Sequence, residues 1–219
     1  MQRRSQAPDT LINFMQDIGI PSDLHSDNAP ELFQSQMKEL LRKFWIKGSQ
    51  SEPYSPWQVR AELCIREIKA AVRHTMTKTG APKWLWDYCT RYQCELRNLI
   101  AHPHFRLHGR TPYEYVVGRT PDISEYLDFH WYETIWYLDQ DSNFPDDKRK
   151  LGKWLGVAHD VGQALCFYIL PQSGRPIVHS TVQALTQDEK SSLAIHQSIL
   201  DLDQSIRDRL AVESDPPIP

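Results

Sequence analysis

The sequence predicts an α/β chain in which helices come first, a small antiparallel β module follows, and a helix closes the chain. Three observations carry this. Between residues 8 and 105, apolar residues recur at helical spacing in four successive runs. Between residues 128 and 185, short β-type runs alternate with turn residues. After Thr186, helical spacing returns.

The chain has 219 residues, enough for one ordinary domain or two small ones. It is 40% hydrophobic and 24% charged, a normal globular composition. A net charge of -3 does not itself favour nucleic acid, yet a local basic face matters more than the total. Cys64, Cys89, Cys94 and Cys166 form no CxxC pair, which argues against a zinc or redox motif and fits a reducing compartment. No stretch reaches the roughly 18–20 apolar residues of a membrane span. The start, Met1-Gln2-Arg3-Arg4-Ser5, lacks the apolar core of a signal peptide. An intracellular, soluble protein without a membrane partner is expected.

Pro8-Asp9-Thr10 starts the first helix, Leu11, Phe14, Met15 and Ile18 form its apolar face, and Gly19 stops it. Residues 20–26 read as a short strand that Pro21 assigns to a strand start or an edge. Ala29-Pro30-Glu31 opens a second helix, with Leu32, Phe33, Met37, Leu40, Leu41 and Phe44 on its apolar side. Residues 47–55 read as a polar loop. From Trp57 to Lys78, Ala61, Ile65, Ile68 and Val72 predict one buried stripe. Gly80-Ala81-Pro82 breaks that helix, and Trp84, Leu85, Tyr88, Cys89, Tyr92, Leu96, Leu99 and Ile100 build the next. His102, His104 and His108 lack acids or cysteines at ligand spacing and read as turn residues.

Residues 106–127 read as a linker with a short helix, capped by Thr111 with Pro112 first and Glu114 third. Strands are predicted over 129–138, 153–158, 165–170 and 177–182, with Pro171-Gln172-Ser173-Gly174 as a turn. A small sheet or barrel would result. Residues 186–219 read as one helix and a tail, with Thr186 and Glu189 at its start.

Two acids stand out by position. Asp27 falls where the first strand would stop, and Glu62 opens the longest helix. Carboxylates from separate elements can share a divalent ion, because hard cations prefer oxygen ligands. Arg66, Lys69 and Arg73 repeat the spacing of Glu62, and Arg60 adds a base near the helix start. One reading is a solvated face with an i,i+4 pair between Glu62 and Arg66. The other is a face that tracks phosphates, with an acid at its end as a metal ligand. Without a metal, Asp27 is a strand-end acid and Glu62 a first-turn acid.

The order Ser26-Asp27-Asn28, helix, loop, Tyr54-Ser55-Pro56-Trp57-Gln58 and Glu62 resembles the back half of a retroviral or retrotransposon integrase core. Gly109-Arg110-Thr111-Pro112-Tyr113-Glu114, Gly118-Arg119-Thr120-Pro121-Asp122 and the 150–156 segment, KLGKWLG, are similar to the region downstream of that core in copia-type elements. The resemblance implies a partial RNase H-like core over 8–105, mainly its C-terminal helices and one strand, and a downstream β module over 128–185. Asp27 matches the second Asp and Glu62 the Glu of an acidic triad that holds Mg²⁺ or Mn²⁺. Ala29 and Val59 stand where the family has Gly and Asn, and the first Asp has no counterpart on a strand before Asp27.

The resemblance therefore implies a DNA-integration-type polynucleotidyl transferase fragment of a transposable element, inactive alone for want of that Asp. Its expected partners are DNA, through Arg60, Arg66, Lys69 and Arg73, and further copies of itself. A eukaryotic element would act in the nucleus. The alternative is a non-catalytic nucleic-acid-binding or protein-interaction remnant.

Overall fold

A computed structural model of the chain describes residues 7–26, 35–52, 60–103, 107–139, 142, 145, 147–162 and 164–212. The chain is mixed helix and sheet, as predicted, and forms two compact units, Met1–Glu67 and Ile68–Pro219.

In the first unit, α1 (Ala7–Asp17) is followed by β1 (Asp23–Ser26), α2 (Ser35–Lys43) and β2 (Lys47–Gln50). β1 and β2 pair in parallel, Asp23 opposite Lys47 through Ser26 opposite Gln50. The segment predicted as a loop is therefore partly a strand. Its four residues are exposed and contain no aliphatic side chain, so it carries no hydrophobic pattern to read. Main-chain hydrogen bonds hold it instead, extended by Ser51 N–H to the Ser26 carbonyl at 2.9 Å. Parallel pairing needs a long crossover, which α2 provides. Ala7 and Leu11 pack with Met37, Leu41 and Ile46 to make this unit's small core. Phe14 and Ile18, expected on the apolar face of α1, are 46% and 58% exposed. Trp45 ends α2 with φ at +56°, and the Ile46 N–H reaches back to the Leu41 carbonyl at 2.9 Å. That left-handed conformation costs a non-glycine residue roughly 1–2 kcal/mol.

α3 (Arg60–Thr79) is a helix of 20 residues. Its expected stripe is buried only towards its end: Val72 is covered and Ile68 half-buried, whereas Ala61 is exposed and Ile65 is 50% exposed.

In the second unit, a 3₁₀ turn (Lys83–Leu85) leads into α4 (Trp86–Leu99), and α5 (Pro112–Val117) follows. Thr111 Oγ1 accepts the Glu114 N–H at 2.9 Å, Pro112 occupies the first turn, and Gly118 closes α5 with φ at +79°. The β module comprises β3 (Thr134–Leu138), β4 (Arg149–Val157), β5 (Phe167–Pro171), β6 (Ile177–His179) and β7 (Val182–Ala184). All neighbours are antiparallel, in the order β6-β5-β4-β3-β7. The predicted run 177–182 is thus two strands on opposite edges. The predicted final helix is also two, α6 (Gln187–Ser191) and α7 (Leu193–Val212), because Ser192 is extended at ψ 125°.

β4 is buried on both faces. Trp154 packs with Tyr126, Phe129, Ile135 and Phe167, while Leu155 packs with Val72, Cys89, Trp131, Leu202 and Ile206. The second cluster joins the end of α3, α4 and α7 to the sheet. The compact unit therefore begins at Ile68. Gly152 lies where an added Cβ would sit 2.5 Å from Ile169 Cγ2. Gly156 has φ at +129° where the β4–β5 register shifts.

α7 is clasped by a buried ion pair. Lys153 Nζ lies 3.0 Å from Asp203, donates to Thr134 Oγ1 at 2.9 Å, and sits 5.0 Å from the centre of the Tyr132 ring. The Lys153 side chain is 6% exposed and that of Asp203 is 23% exposed.

Removing one partner of such a pair leaves an uncompensated buried charge. Asp203→Ala is expected to destabilise the second unit by about 3 kcal/mol. Lys153→Met with Asp203→Leu is expected to cost much less, both measured by urea unfolding followed through tryptophan fluorescence. Gly152→Ala is expected to cost about 1–3 kcal/mol in the same assay through overpacking against Ile169.

Candidate functional site

β1 ends at Ser26, the residue before Asp27, and Asp27 itself lies outside the described residues. Arg60 begins α3, and its side chain also lies outside them. Glu62 stands in the first turn of α3, where an acid suits the positive end of the helix dipole. Glu62, Arg66, Lys69 and Arg73 are all exposed. Their spacing puts them along one side of that helix.

The i,i+4 pair expected between Glu62 and Arg66 does not form. Among the described residues none of these four side chains makes an ion pair or hydrogen bond. Five cations of the second unit behave differently. Arg91 meets Glu95 at 3.1 Å and Asp160 at 3.3 Å, Arg149 meets Glu189 at 3.3 Å, and Lys190 meets Glu133 at 3.1 Å. Lys150 pairs with Asp139, and Lys153 with Asp203. Arg149 also stacks on Trp136, 4.6 Å from the ring centre.

Metal ligation was expected of Asp27 and Glu62 together. Among the described residues no group of three or more His, Cys, Asp or Glu is placed to hold a metal ion. Glu62, exposed and unengaged, is chemically free to act as one oxygen ligand. His102 is engaged instead with Arg97, Nη2 to Nε2 at 3.0 Å, and His104 lies outside the described residues.

A second polar constellation gave no signal in the sequence. It lies in a cleft of about 650 Å³ bordered by α4, residues 119–126 and His159. Tyr126 donates its hydroxyl proton to Glu95 Oε2 at 2.9 Å and meets His159 Nε2 at 2.9 Å. Because the carboxylate only accepts, His159 Nε2 is the donor of the second bond. Burial, with Glu95 adding to it, pushes the Tyr126 hydroxyl far above its ordinary range. Arg91 links the other Glu95 oxygen to Tyr168 and Asp160. These residues come from four separated stretches, so no local spacing joins them. Cys89, fully buried, has its thiol pushed up to about 12 by desolvation, which leaves it without nucleophilic character.

No protein-family model matches the sequence, and no curated protein matches it. Among solved structures, the chain shows a weak, fold-level likeness to a chain in the cryo-EM structure of a simian T-cell lymphotropic virus intasome in complex with PP2A regulatory subunit B56 gamma. The TM-score is 0.44 at 15% identity, over 85% of this chain and 66% of that one. No helix among the described residues is long and apolar enough to cross a membrane.

The Tyr168 hydroxyl donates to Asp160 at 2.5 Å and holds that carboxyl below its usual range, with Arg91 adding to the effect. A depressed folded-state value contributes stability that is present above the unfolded value and lost as pH falls through the folded one. The difference in urea midpoint between the wild type and Asp160→Asn is therefore expected at pH 5 and above. It should shrink towards zero below about pH 3.

Proposed function

We propose that the chain is part of a DNA-integration-type polynucleotidyl transferase of a copia-type retrotransposon, with a partial RNase H-like core, and that α3 is its nucleic-acid-binding edge. The observation that supports this best is the state of the charges on α3. Among the described residues, Arg66, Lys69 and Arg73 are exposed and meet no carboxylate, whereas Arg91, Arg149, Lys150, Lys153 and Lys190 do. A cation with no internal partner is free to displace the counterions of a phosphate backbone. The motif order around Asp27 and Glu62 supplies the reaction class. DNA is the partner, further copies of the chain complete the assembly, and the nucleus is the place of action in a eukaryotic host.

Asp27 and Glu62 would hold Mg²⁺ or Mn²⁺, with a third acid supplied from outside these residues. Such ions activate a hydroxyl or water and stabilise the departing oxygen when bound. In this chain, Glu62 contributes a carboxylate at a helix start. The bases along α3, Arg60 included, position the backbone of the DNA.

Anisotropy titrations with a labelled duplex between 50 and 200 mM salt test the binding edge. Replacing Arg66, Lys69 and Arg73 with Ala is expected to weaken binding at every sequence and to flatten the log–log salt slope by about 3. An unchanged slope overturns the assignment. In a strand-transfer assay with Mn²⁺, joining is expected only when a segment bearing the missing Asp is added in trans, and Glu62→Gln should abolish it. No joining under either condition, with binding intact, leaves a non-catalytic nucleic-acid-binding remnant as the reading.

A further inference from the structure

Trp45 is the residue of the first unit whose own stability does least to explain it. Its side chain is 93% exposed, while φ is +56°. A left-handed residue that ends a helix is ordinarily glycine, which adopts that conformation at no steric cost. Here a helix end carries the largest side chain in a conformation that penalises any side chain, and the ring buries almost nothing in return. An exposed, strained residue held by its surroundings points outward to function. The surroundings here do hold it: Trp45 N–H bonds the Arg42 carbonyl at 3.2 Å, and the buried Ile46 is tied to Leu41.

Its neighbours are cationic. Arg42 and Lys43 occupy the last turn of α2, and Lys47 starts β2. All three are exposed, and none meets a carboxylate among the described residues. Arg42 and Lys43 also suit the negative end of the helix dipole, which accounts for them but not for Trp45. Lys43 Nζ lies over the Phe44 ring, 5.7 Å from its centre, which leaves the indole of Trp45 unoccupied.

We propose that Trp45 is a stacking platform for an unpaired nucleic-acid base, with Arg42, Lys43 and Lys47 countering the flanking phosphates. An exposed aromatic face among unpaired cations is the arrangement that captures single strands: every base has a π-face, and the backbone supplies the charge. A protein partner would be expected to surround such an aromatic anchor with further apolar contact surface. β2 offers none, since Lys47, Gly48, Ser49 and Gln50 are all polar or without a side chain and all exposed. The inference rests on the reading that this chain binds nucleic acid, and it adds a second contact to the α3 edge.

The test uses the full 219-residue chain, a labelled single-stranded oligothymidylate and a labelled duplex of equal length. Trp45→Ala is expected to weaken single-strand binding by about fivefold or more, the value of one lost base stack. It should change duplex binding by less than about twofold, because a paired base offers no free face. Trp45→Phe is expected to retain most of the single-strand affinity. Trp45→Gly is expected to lose that affinity while leaving the urea midpoint unchanged or raised, since glycine relieves the strain. A purely structural Trp45 would show the reverse, with stability falling and binding tracking the folded fraction. Equal single-strand affinity for wild type and Trp45→Ala overturns the proposal, even where duplex binding keeps its dependence on α3. No binding of either DNA by the wild type overturns the nucleic-acid reading itself.

Discussion

The link between β6 and β7 is the constraint on which the second unit depends. His179 and Val182 lie on opposite edges of a five-stranded sheet, with two residues between them. Three residue steps reach about 11 Å at full extension. The edges of a flat five-stranded sheet are about 19 Å apart. The sheet must therefore curl until its edges approach, and the β3–β7 ladder runs on into this link, with the Leu138 N–H donating to the Thr181 carbonyl at 3.3 Å. Curling concentrates bending in β4, the central strand. There Gly152 admits Ile169 against the backbone, and Gly156 takes the conformation that the register shift requires. α4 and α7 pack against this curled sheet, Cys89 of α4 and Leu202 and Ile206 of α7 lying in one cluster with Leu155 and Leu170.

This closure also decides where charge is available. Packing α6 and α7 onto the curled sheet brings acids from the helices over bases from the strands: Asp203 reaches Lys153 and Glu189 reaches Arg149. Glu95 meets Arg91 along α4 itself. Each such pair consumes a cation that a phosphate would otherwise find. The exposed pairs, such as Arg149 with Glu189, contribute little to stability, but they do neutralise. Among the described residues no acid meets Arg66, Lys69 or Arg73 of α3, so these charges remain open. A chain with a net charge of -3 can in this way present a basic edge without a basic total.

What the sequence made legible follows the range of the signal. Caps are set by residues three positions apart, and Thr111–Glu114 and Thr186–Glu189 are both found as read. The turn ending at Gly174 is likewise local and is present. Long apolar periods gave the helices, but not their burial: Ile65 repeats with Ile68 and Val72 yet stays half exposed, because a period marks a face and not a neighbour. β2 escaped because a strand of Lys, Gly, Ser and Gln, held by main-chain bonds and by the 2.8 Å hydrogen bond between His25 Nδ1 and Ser49 Oγ, has no hydrophobic pattern. The only hint was the preceding Ile46, together with the need of β1 for a partner. Of the candidate site, the row from Glu62 to Arg73 was legible, since helical spacing is enough to align it. The Tyr126–Glu95–His159 constellation was not, since three distant stretches meet there only after the barrel closes.

The motifs of the second half can now be weighed by what they do. Thr111 and Pro112 start a helix and Gly118 ends it. In the 150–156 segment, Gly152 makes room for Ile169, Lys153 clasps α7, Trp154 fills the barrel and Gly156 bends it. Each of these residues has a packing or backbone reason that needs no ligand. Their resemblance to a known family is therefore a resemblance of folding requirements, and it speaks to scaffold before chemistry. Arg66, Lys69, Arg73 and Trp45 are the contrary case. They are exposed, among the described residues they carry no internal polar partner beyond the main chain, and nothing in the packing calls for them. Trp45 even opposes the conformation it occupies. A functional reading has to rest on residues of this second kind, because only there does the fold leave the choice of side chain unexplained.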